Sequence, residues 1–242
     1  KVDTFTVAGY RAIGAVNLPS GGELNLEGPS SAAAANLFIG NNNIGTAHDG
    51  VGTMDLSAGT FNATLNQLRI GFHASGGGSG TGTLSFADGE VTANSVVLGH
   101  TTSSSTGAGI GTLNMAGGSL AVANNVTLGT GSASSEGTIN MTGGTFDVTG
   151  NVAGGVGTST LNIAGGAMTV DGDLIANELI VGDNGLTAGL TANGSAKTLS
   201  VGMLTVAADS GSGTLTAGTG STVEIGSAAA ATDLSIARKT TA

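Results

Sequence analysis

The side chains that could do chemistry in this chain are few. They are three histidines (His48, His73 and His100), two close carboxylate pairs (Asp88/Glu90 and Asp171/Asp173) and six scattered basic residues. A metal centre needs its ligands within a few ångströms of one another. His73 and His100 follow Gly71 and Gly99 at slightly different offsets, and Asp49 adjoins His48. That spacing permits the histidines to share one edge of a repeated structure without requiring it, so solvated loop histidines are the default reading. The carboxylate pairs stand at i, i+2, which aims both the same way in a strand and can chelate calcium in a turn. Calcium-binding β-rolls repeat GGxGxDxUx. The run GGGSGTGTL at 76–84 has the glycines but lacks the aspartate. No cofactor is expected, with calcium as the one candidate.

Other catalytic settings are missing too. No GxSxG surrounds a serine. Glycine runs such as GAGIG at 107–111 lack the lysine or helix that phosphate binding demands. Solenoid enzymes that cleave polysaccharides cluster carboxylates with Arg or Lys in one groove, and no such cluster is visible. With one Tyr and no Trp, sugar stacking has little to work with. No catalytic, cofactor-binding or metal-binding residue is assigned, and an enzyme is not expected.

Composition narrows the partners. The chain carries 16 acidic and 6 basic residues, a formal charge of −10. Nucleic-acid binding relies on phosphate neutralisation by a basic patch. Lys1, Arg11, Arg69, Lys197, Arg238 and Lys239 are too dispersed to form one. Apolar runs fall far short of the ~20 residues of a spanning helix. No cysteine exists, so disulfides and thiolate chemistry are absent. Lys1 opens directly into a polar, alternating stretch, as a mature chain would after removal of an export signal. The Gly, Ser, Thr, Asn and Ala richness matches exported bacterial surface proteins, and an extracellular or cell-surface location is expected.

What must position any site is a repeat. GTMDLSAGTF (52–61), GTLSFADGEV (82–91), GTLNMAGGSL (111–120), GTINMTGGTF (137–146) and STLNIAGGAM (159–168) are variants of one phrase, with a looser copy GELNLEGPSS at 22–31. The starts are 30, 30, 29, 26 and 22 residues apart. Periods in this range mark stacked architectures in which neighbouring units share one core. In the copy at 111, Thr112-Leu113-Asn114-Met115 alternates like a half-buried strand. Gly117-Gly118 breaks it, Ser119-Leu120-Ala121-Val122 alternates again, and Val126-Thr127-Leu128 forms a third strand. The chain is therefore predicted to be one all-β domain over 1–242, a single parallel β-helix (β-solenoid) with three short strands per coil and coils of 22–30 residues. Residues 1–21 are an N-terminal edge or assembly segment, 22–182 regular coils, and 183–242 degenerate coils with a C-terminal edge.

Apolar columns follow from this phasing. The first strand supplies Leu24/Leu26, Met54/Leu56, Leu84/Phe86, Leu113/Met115, Ile139/Met141 and Leu161/Ile163. The second supplies Phe61, Val91, Leu120, Phe146 and Met168. The third supplies Phe38, Leu68/Ile70, Val96/Leu98 and Val126/Leu128. Outward on the first strand, Asn25, Asp55, Ser85, Asn114, Asn140 and Asn162 should form a polar ladder. On the second strand no file of paired threonines survives from coil to coil, which weakens an ice-binding role.

The phrases GTLNMAGGSL, GTINMTGGTF and VTLGTGS resemble the autotransporter-associated β-strand repeats of large exported bacterial proteins. The resemblance covers about residues 22–182 and implies a right-handed parallel β-helix displayed outside the cell as an adhesin or passenger stalk. Two roles follow as expectations. One is a structural subunit of an extracellular filament or surface coat that self-assembles through its solenoid ends or by strand addition. Its assembly residues would be Val2, Phe5 and Val7 near the N-terminus and Leu234 and Ile236 near the C-terminus. The other is a monomeric adhesin-type module whose lateral face takes a carbohydrate or surface ligand.

Overall fold

The computed structural model describes residues 1–30, 33–43, 48–102, 106–226 and 233–236. Strands follow one another with no helix among these residues. The first are β1 (Thr4–Gly9), β2 (Ile13–Asn17), β3 (Glu23–Leu26), β4 (Ala35–Asn42) and β5 (Gly50–Leu56). Next come β6 (Thr60–His73), β7 (Gly80–Phe86), β8 (Glu90–Thr101), β9 (Gly109–Met115) and β10 (Ser119–Val122). Then follow β11 (Val126–Thr130), β12 (Glu136–Val148), β13 (Val152–Gly154), β14 (Thr158–Val170) and β15 (Leu174–Val181). The last are β16 (Thr187–Ala192), β17 (Thr198–Val206), β18 (Ser212–Ala217), β19 (Thr222–Ile225) and β20 (Asp233–Ile236).

Each strand pairs in parallel with the strand one coil later, so the chain winds a β-solenoid of about eight turns. The first face runs β2, β5, β7, β9, then the starts of β12 and β14, the ends of β15 and β17, and β20. The second face runs β3, the starts of β6 and β8, β10, the ends of β12 and β14, β16 and β18. The third runs β1, β4, the remainders of β6 and β8, β11, β13, the starts of β15 and β17, and β19. The three-strand coil thus holds, and β16 to β20 continue the same three faces through the degenerate region.

Alternation puts one contiguous apolar core inside the coils, from Val7 and Leu26 at one end to Leu199 and Leu204 at the other. Each fully buried Leu, Met or Phe contributes about 1.5–3 kcal/mol. The corner between the third and first faces explains why a glycine follows Ile39, Ile70, Leu98 and Leu128, and why GT opens four of the five phrases. Gly99 ends its third-face run at φ +65°, and a Cβ there would land on the Glu136 carbonyl of the next coil. A Cβ on Gly111, in the following first-face strand β9, would stand 2.5 Å from the Gly99 nitrogen. Two files of backbone meet at this corner with no room for a side chain.

Three expected columns are corrected by the register. GELNL belongs to the second face, since Leu24 lies beside Phe61 and Leu26 beside Ala63. The first-face partner of Met54 is Val16 instead. Both segments alternate, so their pattern could not choose the face. Phe38 pairs with Arg69 and points outward, while Leu37 and Ile39 fill the core beside Leu68 and Ile70. Phe61 is one step off its expected column, for Ala63 and Leu65 lie beside Val91 and Ala93. β6 runs straight through the corner between the second and third faces, and a two-residue shift keeps every side chain on its face. The coil length also departs from 22–30: Ser159 and Asn177, adjacent in the stack, are 18 residues apart.

Candidate functional site

The third face carries the one aromatic and cationic cluster on the lateral surface of the described residues. With Leu68 and Ile70 inward, strand alternation turns Arg69 outward between Phe38 below and Val97 above. The strands continue past the positive-φ glycines Gly40, Gly71 and Gly99. Beyond them Asn41, Phe72, His100 and Thr130 form a second file, while Asn42, His73 and Thr101 turn inside the corner and are fully buried.

These two outward files lock together. The Arg69 guanidinium lies 4.1 Å from the ring centroid of Phe38 and 4.1 Å from that of Phe72. Its Nη2 donates to Asn41 Oδ1 at 2.9 Å. Phe72 stacks on His100 at 5.5 Å between centroids and 10° between planes. His100 Nδ1 lies 2.7 Å from Thr130 Oγ1. Desolvated cation–π contacts are worth about 2 kcal/mol or more. The ladder Phe38–Arg69–Phe72–His100–Thr130 therefore crosses four coils.

Electrostatically the cluster is uncompensated. Burial pulls the Arg69 pKa down, yet a guanidinium stays protonated in proteins. The same burial, and then the Arg69 charge, pull His100 below its usual 6.5. Among the described residues the one ion pair is Lys1–Glu27 at 3.7 Å, remote on the first coil. Arg69 Nε is buried without a hydrogen-bond acceptor. Of the cluster, Arg69, Phe72, His100 and Thr130 line an open depression of about 380 Å³ with Gln67, Val97 and Thr127.

The expected chemical residues do not converge. His73 sits in the corner with Nε2 3.1 Å from Gly76 O, whereas His100, on the other phase, faces out. His48 offers its backbone carbonyl to Asn42 Nδ2 at 2.8 Å. Asp88 Oδ2 accepts from Thr60 Oγ1 at 2.8 Å, and Asp173 Oδ1 accepts from Thr198 N at 2.9 Å. Among the described residues no three His, Asp or Glu side chains lie close enough to hold a metal ion, and no helix is long and apolar enough to cross a membrane.

The first face carries the polar ladder, shifted at its base. Asn114 Nδ2 donates to Ser85 Oγ at 3.1 Å and Asn140 Nδ2 to Asn114 Oδ1 at 3.0 Å. Asn17, not Asn25, stands beside Asp55. Asn25 is on the second face, where it accepts from Asn62 Nδ2 at 3.0 Å. Two residues before this ladder runs a threonine file that the second-strand reading missed: Thr53, Thr83, Thr112, Thr138 and Thr160 are consecutive neighbours. Its signal was the GT that opens four of the five phrases.

The expected assembly residues lie on the terminal rungs. β1 pairs with β4 and β20 with β17, leaving each with one open edge among the described residues. Val7 is buried in the chain's own core and Phe5 is half-buried against it, while Val2 lies exposed before β1. Leu234 and Ile236 are 52% and 71% exposed. No protein-family model, no curated protein and no solved structure matches this chain.

Proposed function

We propose that the protein is a structural subunit of an extracellular bacterial filament or surface coat, and that it self-assembles by stacking one solenoid end on another. The observation that carries this reading is a set of exposed apolar residues in the inward columns of the last described strands. Val223 lies beside Leu199, and Leu234 and Ile236 lie beside Leu204 and Val206, so all three occupy inward columns. All three are nevertheless exposed, where their counterparts in the middle coils are fully covered. Unpaired strand edges are templates for another strand. A second copy would place Phe5 and Val7 of β1 over the β19 column, Val16 of β2 over β20, and Leu24 of β3 over Leu215 of β18. Such a head-to-tail contact does not close on itself and generates a filament. The resemblance to exported β-strand repeats supports the extracellular setting. Light scattering across a dilution series tests it: the mass should rise with concentration, and a monomer at every concentration contradicts it.

A second reading, an adhesin-type module that binds through a lateral face, draws on the Arg69 cluster. It is compatible with the first, because the cluster lies on the flank of the rod and not at an end.

A further inference from the structure

We propose that the depression beside Arg69 is a binding site for a carboxylate-bearing sugar of the uronate class. This inference concerns the flank of the rod and stands whether or not the ends assemble.

The phenyl rings of Phe38 and Phe72 each lie 4.1 Å from the Arg69 guanidinium, which donates its N–H groups in its own plane. Further hydrogen bonds can form only at its edge, and an edge-on planar fork is the geometry that takes a carboxylate bidentately. The one hydrogen bond described for that fork goes to a neutral acceptor, Asn41 Oδ1. A partly desolvated cation without a counter-charge is unfavourable. The chain has 16 acidic residues, yet none forms an ion pair with Arg69 among the described residues. The site is therefore built for an anion that the fold does not supply.

The rest of the depression narrows the class. Gln67, Thr127 and Thr130 line it as neutral donors and acceptors, and Val97 and Phe72 supply apolar surface. No lining carboxylate is present to receive an ammonium group, which disfavours amino acids and other zwitterions. At about 380 Å³ it is within the range of small-ligand sites, roughly 300–1,000 Å³. A sugar acid matches each element, with the carboxylate on the guanidinium edge and the hydroxyls on the amide and threonine side chains.

The test is an NMR titration of the full chain with galacturonate, galactose and acetate, following the Arg69 Nε–H and His100 ring signals. Galacturonate should shift both saturably, with a Kd of about 1–10 mM, and acetate should bind at least ~tenfold more weakly. Galactose should leave the signals unmoved. Arg69→Met should abolish the response. Val97→Glu is the second variant, since it sets a carboxylate beside Arg69 and should block the site while the remaining spectrum stays dispersed. Unmoved signals at about 50 mM galacturonate, or binding that survives both variants, overturn the proposal. Galactose shifts equal to those of galacturonate overturn the carboxylate assignment, and acetate binding of equal strength overturns the sugar assignment.

Discussion

Gly111 and Gly99 approach so closely across the corner between the first and third faces that a methyl on Gly111 would stand 2.5 Å from the Gly99 nitrogen. Both positions are structural, but for different reasons: Gly99 also needs φ +65°, whereas Gly111 has only the crowding. Gly21 separates the two effects, because it has φ +73° and nothing within 4 Å of a built Cβ.

Gly21→Ala should therefore cost only the left-handed strain, about 1–2 kcal/mol. Gly99→Ala should cost distinctly more, because strain and clash act together. Denaturant unfolding of both variants checks this. Equal losses would show that the corner relaxes and that the close approach is incidental.

The asparagine ladder predicts opposite outcomes along one file. Asn114 both donates to Ser85 and accepts from Asn140, so Asn114→Val should destabilise by about 1–3 kcal/mol. Asn162 Oδ1 is buried without a partner, and its next neighbour in the file is Ile180. Asn162→Val should be neutral or stabilising. Thermal melts of the two variants measure the contrast.

His100 carries a pH signature. Its folded pKa is lowered from 6.5, first by burial and then by Arg69. The folded state thus binds fewer protons than the unfolded state, and stability rises with pH between the lowered value and 6.5. At still lower pH this contribution is lost. An NMR titration should place His100 below 6.5, and Arg69→Met should raise it part of the way back. Burial remains in that variant, so full recovery would contradict the stated order of causes.

Core position should decide the cost of losing a leucine. Leu113 is wholly buried in the middle of the stack, and Leu113→Ala should cost about 2–5 kcal/mol. Leu234 occupies an inward column but is half exposed on the last rung. In dilute protein Leu234→Ala should cost under ~1 kcal/mol, since little transfer from water is undone. Matched chemical melts at low concentration separate the two.

How much of this was readable in the sequence depended on redundancy. Where five phrases repeat, the phase of Leu113 or Ile139 is over-determined and the inward columns are as the alternation predicts. The first coil had no such support: IGAVN and GELNL both alternate, and only the register shows that Val16 and not Leu24 stands below Met54. Phe38 was misplaced because the hydrophobic pattern of Leu37-Phe38-Ile39 is continuous, and a run without alternation does not reveal its phase. The Arg69 cluster was not legible. Asn41 and Arg69 meet across 28 residues and His100 and Thr130 across 30, and those separations follow loops that vary from coil to coil.

Association of the purified chain tests the central claim most directly. Light scattering over a dilution series, with electron microscopy of the concentrated sample, should show mass growing with concentration into unbranched fibres one solenoid wide. The double variant Leu234→Glu, Ile236→Glu should keep the β-rich circular dichroism of the parent and remain monomeric. A wild-type chain that stays monomeric throughout, or a double variant that assembles as well as the parent, would contradict assembly through the exposed apolar residues of the last described strands.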